Sequence, residues 1–275
     1  MNKKFDIKIR LLSPLMHYGD EMSGTMQTAR KMPFEVNGEY IDIPVFSGNA
    51  LRGIIRRLLM QDMLERIGYG ISSISQNVYY TLFSGGALKS GGGIDIEFKQ
   101  KLKENCPALV LLGSAFGNQM TEGKMKVDIS KPVCSEMNDY NVNKSDISIF
   151  DGMLSDVFHT RLDTLKSNLE TTNDDCEEKQ VVQMKYEAET LSAGTVLETG
   201  IYLECASELE VSCAEYALNL LKNFGYIGGK SASGYGKIAL EYNNSDDSGK
   251  IYIDFVESHK EEIRNFIAYL EEYLK

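Results

Sequence analysis

The chain has few of the residues that build metal centres or covalent frameworks. It contains five cysteines (Cys106, Cys134, Cys176, Cys205, Cys213) and three histidines (His17, His159, His259). The cysteines are odd in number and never form a CxxC pair. The paired ligands of a structural zinc site are therefore missing, and reduced structural thiols are expected. No metal and no cofactor is expected. Long apolar runs are also lacking, since none approaches the roughly 18 to 20 residues that cross a bilayer. The opening Met1-Asn2-Lys3-Lys4-Phe5-Asp6 has no apolar leader core, so a cytoplasmic location and no membrane partner are expected. The third deficit is positive charge. At −11 the chain is not a generic, charge-driven nucleic-acid binder, because phosphate contact favours cations. The charge is uneven, however. Residues 1–66 carry ten Lys/Arg against eight Asp/Glu, a balance of +2, whereas 151–180 carry three against eight and 251–275 three against six. A local basic surface is compatible with that distribution.

With 43% hydrophobic and 25% charged residues, the composition is that of a soluble globular protein. The length is enough for one domain over 1–275 with insertions. Phe5, Ile7, Ile9 and Leu11 alternate with Asp6, Lys8 and Arg10, which predicts a half-buried strand. The stretch 16–40 has no helical period, and Gly19, Gly24 and Asn37-Gly38 predict an irregular hairpin excursion. From Ser47 to Ile67 a helix is predicted, capped by Ser47 or Asn49, with an apolar stripe of Leu51, Ile54, Ile55, Leu58 and Leu59 and a stop at Gly68. Arg52 and Arg56 share one face of that helix, with Arg57 beside them. Residues 70–105 read as irregular, with a glycine-rich loop at 84–93. An apolar run from 107 leads through a glycine turn to a strand at Lys124–Asp128. Residues 135–180 read as a polar insertion. A hairpin turning at Gly194 joins strands over 182–189 and 196–205. Ser207 and Glu210 form a capping box for a second helix that ends at Gly225. Strands at 238–242 and 251–255 follow, and a last helix starts from a box at Ser258–Glu261. With the insertions set aside, the order is β, α, β, β, α, β: an α+β chain with a ferredoxin-like or RRM-like core (βαββαβ).

Residues 228–236, GGKSASGYG, invite a nucleotide reading that the spacing rejects. A P-loop has four residues between its first glycine and the Gly-Lys-Ser, in a strand–loop–helix setting. Here Phe224 stands at the first glycine's place, and the loop follows a helix and enters a strand.

A glycine-rich turn between the second helix and the final strand of such a core, combined with a basic first helix, resembles the RAMP superfamily of CRISPR proteins. The matching segment is GYIGGKSASGYGKI (225–238). IPVFSGNALRGIIRRLL (43–59) resembles the entry to the family's first helix, and LLGSAFGNQMTEGKMKVDI (111–129) its central glycine turn and strand. Within the family the chain is most similar to the backbone subunit that polymerises along a guide RNA, in its type IV form. QMKYEAETLSAGTVLETGIYLE (183–204) resembles the hairpin before that subunit's second helix. The resemblance implies a palm, which is the RRM-like core, a thumb at 16–40 and finger or web insertions at 70–105 and 135–180. It implies as partners guide RNA, a DNA or RNA target, neighbouring copies and other effector subunits. Holding any guide sequence requires contact to phosphate and ribose with base edges left free. The expected RNA-binding residues are Gly228, Gly229, Lys230, Ser231, Ser233 and Gly234 in the loop, opposite Ser47, Asn49, Arg52 and Arg56. In the thumb, Met22, Met26 and Met32 are placed either to wedge between bases or to pack against a neighbouring copy.

Target-cleaving relatives carry a thumb aspartate before Asn-Pro. The corresponding stretch here is TARKMPFE, with Arg30 and Lys31 at the acid's position. No catalytic residue and a non-cleaving scaffold are therefore expected, with Asp20 and Glu21 as the alternative acids. A different reading is a guide-processing endoribonuclease in which His17 is the general acid or base. A third is a protein-only assembly module that carries no RNA.

Overall fold

The computed structural model describes residues 1–23, 26–88, 94–162, 183–243 and 248–274. The parts of the 84–93 loop and of the 135–180 insertion beyond residues 88 and 162 lie outside the described residues.

The first strand, β1 (Lys3–Leu11), places Phe5, Ile7, Ile9 and Leu11 in the core and turns its polar residues outward. Each such burial contributes about 1.5–3 kcal/mol. β1 is the centre of the palm sheet. It pairs antiparallel with β13 (Ile238–Tyr242) on one side and β12 (Val196–Leu203) on the other. β8 (Met125–Val127) completes the row beyond β12. The last palm strand thus lies beside the first, and the first beside the third, as a βαββαβ core requires. Two helices cover the buried face. α1 (Gly48–Arg66) starts at Ser47, whose hydroxyl accepts from the Ala50 N–H at 3.2 Å, and it buries Leu51, Ile54, Ile55 and Leu59. α5 (Glu208–Phe224) has the expected Ser207/Glu210 capping box and ends on Gly225 at φ +68°.

Several expectations need correction. The 70–105 segment is largely helical, as α2 (Gln76–Ser84) and α3 (Ile96–Asn105), each capped by the side chain before it, Ser75 and Asp95. Their apolar residues are few, but Val78 and Leu82, like Phe98 and Leu102, are buried pairs one turn apart. A further helix, α4 (Pro107–Leu112), leads to the small hairpin of β6 (Ser114–Phe116) and β7 (Gln119–Thr121). The predicted strand at 251–255 is instead α6 (Lys250–Ser258), because Tyr252 and Val256 enter the core at helical spacing. The Ser258–Glu261 box does not form. Ser258 donates to the Asp254 and Phe255 carbonyls and closes α6, and α7 (Lys260–Tyr273) starts without a side-chain cap.

The hairpin expected over 182–205 is not one. β11 (Gln183–Leu191) leaves the palm and pairs with β10 (Leu154–Leu162) and with β3 (Met26–Ala29), which carries β2 (Tyr18–Ser23) on its far edge. The 16–40 excursion divides accordingly. β2 and β3 join this second sheet, whereas β4 (Lys31–Val36) and β5 (Glu39–Pro44) form a separate hairpin around Asn37-Gly38. The two sheets meet where Leu15 and Leu191 exchange backbone hydrogen bonds at 2.8 and 3.1 Å. Among the described residues no helix is long and apolar enough to cross a membrane.

Candidate nucleic-acid interface

The glycine loop, residues 225–238, is stitched to the end of β1. Gly229 N–H donates to the Met16 carbonyl at 2.8 Å, Gly236 N–H to Pro14 at 2.8 Å and Ile227 N–H to Gly236 at 2.9 Å. One residue beyond Met16, His17 Nε2 accepts from the Ser47 N–H at 3.2 Å. The loop and the start of α1 are thereby both tied to the segment that follows β1. The glycines divide by role. A Cβ on Gly228 would lie 2.5 Å from Leu15 and from the Met16 carbonyl, and one on Gly236 would overlap the Ile227 carbonyl. Those two positions need glycine for the loop's own packing, and Gly228 is in addition exposed. Gly234, at φ +88°, faces open space.

Between Lys230 and Gly234 the chain makes one exposed turn. Among the described residues, the Ser231 and Ala232 amides and the Ser231 and Ser233 hydroxyls have no partner. First-turn amides of this kind are ready donors to an anion. Lys230, by contrast, has its Nζ 3.5 Å from the centre of the Tyr186 ring, and burial pulls its pKa below the ordinary lysine value.

The arginines separate. Arg56 is only 7% exposed. Its guanidinium donates to the Leu112 carbonyl at 2.9 Å, the Gly113 carbonyl at 2.6 Å and the Ser114 hydroxyl at 3.4 Å. Burial, with Arg52 alongside, pulls its pKa down to about 10, so it stays charged near neutrality. Arg56 thus staples the 112–114 turn while also lining the groove beside α1. Arg52 is half-buried and also donates to the Leu112 carbonyl. With exposed Asn49 and Arg57 it lines a groove of about 870 Å³ beside α1 to which no residue of the glycine loop contributes.

His17 lies 4.5 Å from the Phe46 ring, and burial, then the Arg30 charge, lowers its pKa to about 4. It is neutral at pH 7, with Nε2 accepting from the Ser47 N–H. In the 16–40 segment, Lys31 pairs with Glu189 of β11 at 3.0 Å, and Arg30 is tied through its backbone to His17 and Val45. Met26 and Met32 are half-buried, and the Met22, Asp20 and Glu21 side chains lie outside the described residues.

The open face of the palm sheet presents Tyr140, Tyr202 and Tyr242 among charged residues. Its concavity carries Asp6, Asp128, Glu198 and Glu241 against Lys4, Lys8 and Lys131, a balance that disfavours phosphate. Glu198 there accepts from the Val142 and Asn143 amides. Three aromatic residues near the loop, Tyr186, His159 and Tyr235, were not foreseen. Alternation along 183–189 marks Tyr186 as facing one side of a strand, but nothing local reveals which element it meets. Among the described residues no cluster of His, Cys, Asp and Glu could hold a metal ion.

Comparison with known proteins agrees with this architecture. A chain of a solved structure described as "Type IV-B CRISPR Complex" superposes with a TM-score of 0.65 at 21% identity, covering 89% of this chain and 92% of that one. No curated protein matches. The model of the RAMP superfamily matches residues 8–239, a span from β1 through the glycine loop into β13, and the chain belongs to that superfamily.

Proposed function

We propose that this chain is a backbone subunit of a CRISPR effector complex that grips guide RNA by its phosphate–ribose chain and presents the bases to a DNA or RNA target. The observation that carries the reading is the exposed Ser231–Gly234 turn, whose Ser231 and Ala232 amides and Ser231 and Ser233 hydroxyls have no partner among the described residues, on a loop tied through Met16 and His17 to the start of α1. Donors of that type read no sequence, which suits a strand of any composition. Asn49, Arg52 and Arg57 extend the surface about 12 Å along α1, at 1.5 Å per residue. Family membership and the description of the similar structure support the assembly context. Neighbouring copies and other effector subunits are the partners. The subunit does not cleave: Arg30 and Lys31 stand at the position of the relatives' acid, and His17 is held as a neutral acceptor.

Co-expression with a guide RNA tests the proposal. RNA co-purifying with the chain, seen as a raised 260/280 nm absorbance ratio and protected from added nuclease, is the expected result. A chain that emerges free of nucleic acid, or that cuts the guide without metal, would overturn it.

A further inference from the structure

Two residues of the glycine loop contact rings that belong to the second sheet. Lys230 Nζ lies 3.5 Å from the Tyr186 ring centre, and the Tyr235 ring lies 5.3 Å from that of His159. Tyr186 and His159 are direct cross-strand partners in β10–β11. Their rings stack at 4.8 Å with 14° between planes. Each end of the exposed turn therefore holds one ring of a single stacked pair. Between those anchors lie only Ser231, Ala232, Ser233 and Gly234, all exposed.

The backbone shows why an anchor matters. Lys230 sits at φ +56°, a left-handed conformation disfavoured for a residue with a side chain. Its carbonyl accepts from Ser233 and Tyr235, so the whole turn is built on that conformation. A cation over a tyrosine face is held electrostatically and by contact.

We propose that Tyr186 and His159 are positioning residues for the glycine loop: their stacked rings clamp Lys230 and Tyr235 and so pre-set the Ser231–Gly234 turn. The clamp is a property of the free protein, and its consequence for RNA rests on the function proposed above. Because β11 also pairs with β3, the second sheet that carries the β2–β3 hairpin sets the shape of the grip.

The test uses the full chain with Tyr186→Leu, Tyr186→Phe and Lys230→Met. Hydrogen exchange of the Ser233, Gly234 and Tyr235 amides, which are bonded within the turn, is read without RNA, and binding of a labelled single-stranded RNA oligonucleotide is read across a salt series. Tyr186→Leu is expected to speed exchange in the turn and weaken binding about fivefold, with the salt dependence unchanged because no phosphate contact is removed. Tyr186→Phe keeps the ring and behaves like the parent. Unchanged exchange in Tyr186→Leu, or equal damage from Tyr186→Phe, overturns the clamp. So does a salt slope reduced by about one contact in Lys230→Met, which places that cation on phosphate. If Tyr186→Leu does not fold, Lys230→Met removes the same contact from the loop side and gives the same exchange readout. A parent chain that binds no RNA refutes the proposed function, while the exchange data still decide the clamp.

Discussion

Arg56 and Arg57 are adjacent in sequence, yet about 100° of helix rotation gives them opposite roles. Arg56 points inward and supplies donors to the Leu112 and Gly113 carbonyls. Truncating it removes the donor to the Gly113 carbonyl and one of the two donors to the Leu112 carbonyl, so Arg56→Ala is expected to lose about 2 kcal/mol of unfolding free energy in urea titration. Arg57 is exposed and lines the groove. Arg57→Ala should leave stability within about 0.5 kcal/mol while reducing the salt slope of RNA binding by about one contact. An Arg57 variant that binds with the parent's slope would remove the groove from the RNA path. His17 makes a third prediction at this scale. Its folded pKa is about 4 against an ordinary 6.5, so between those values the unfolded chain binds a proton that the folded chain does not. Stability contributed by neutral His17 is complete above pH 6.5 and is lost as pH falls towards 4. His17→Gln, which can still accept from the Ser47 amide, should flatten that part of the pH profile. Denaturant midpoints measured at pH 7 and pH 5 for both proteins decide it.

At the scale of elements, the glycine loop depends on backbone geometry more than on side-chain chemistry. Gly236 is at φ +71° with the Ile227 carbonyl where a Cβ would stand. Gly236→Ala is expected to cost at least about 2 kcal/mol and to loosen the loop from β1. Gly234 is also left-handed, but its surroundings are open. Gly234→Val should therefore fold, with a modest loss of stability, and yet retain less guide RNA. Normal guide occupancy in that variant would argue against close backbone approach at the turn. The same contrast shows how much of the molecule was legible beforehand. β1, α1 and α5 were readable because their signals are local: alternation at Phe5–Leu11, a Ser47 cap, and the Ser207/Glu210 box before Gly225. The second sheet was not, because the Leu15–Leu191 bridge and the β11–β3 pairing join residues far apart in the chain. Periodicity places Tyr186 on a face but does not say that Lys230 covers it. Arg56 and Arg57 look alike in sequence, and only the position of the 112–114 turn tells them apart.

On the scale of the whole molecule, charge sets how assembly must work. Each copy carries −11, and the palm's open face is itself rich in carboxylates, so copies repel one another when salt is low. Screening weakens that repulsion as the Debye length falls to about 10 Å at 0.1 M. RNA contact responds in the opposite sense, because each phosphate neutralised by a cation releases counterions, and binding weakens as salt rises. The proposed scaffold therefore has a distinctive dependence. At low ionic strength the chain alone is expected to sediment as a single copy, and addition of a guide-length RNA should convert it to large particles in which one strand bridges many copies. Raising the salt should dissolve those particles rather than strengthen them. Sedimentation velocity with and without RNA, at about 0.05 M and 0.5 M salt, separates the two forces. Particles that form equally well without RNA, and that grow as salt screens the repulsion, would identify a protein-only assembly in which the glycine loop has no strand to hold.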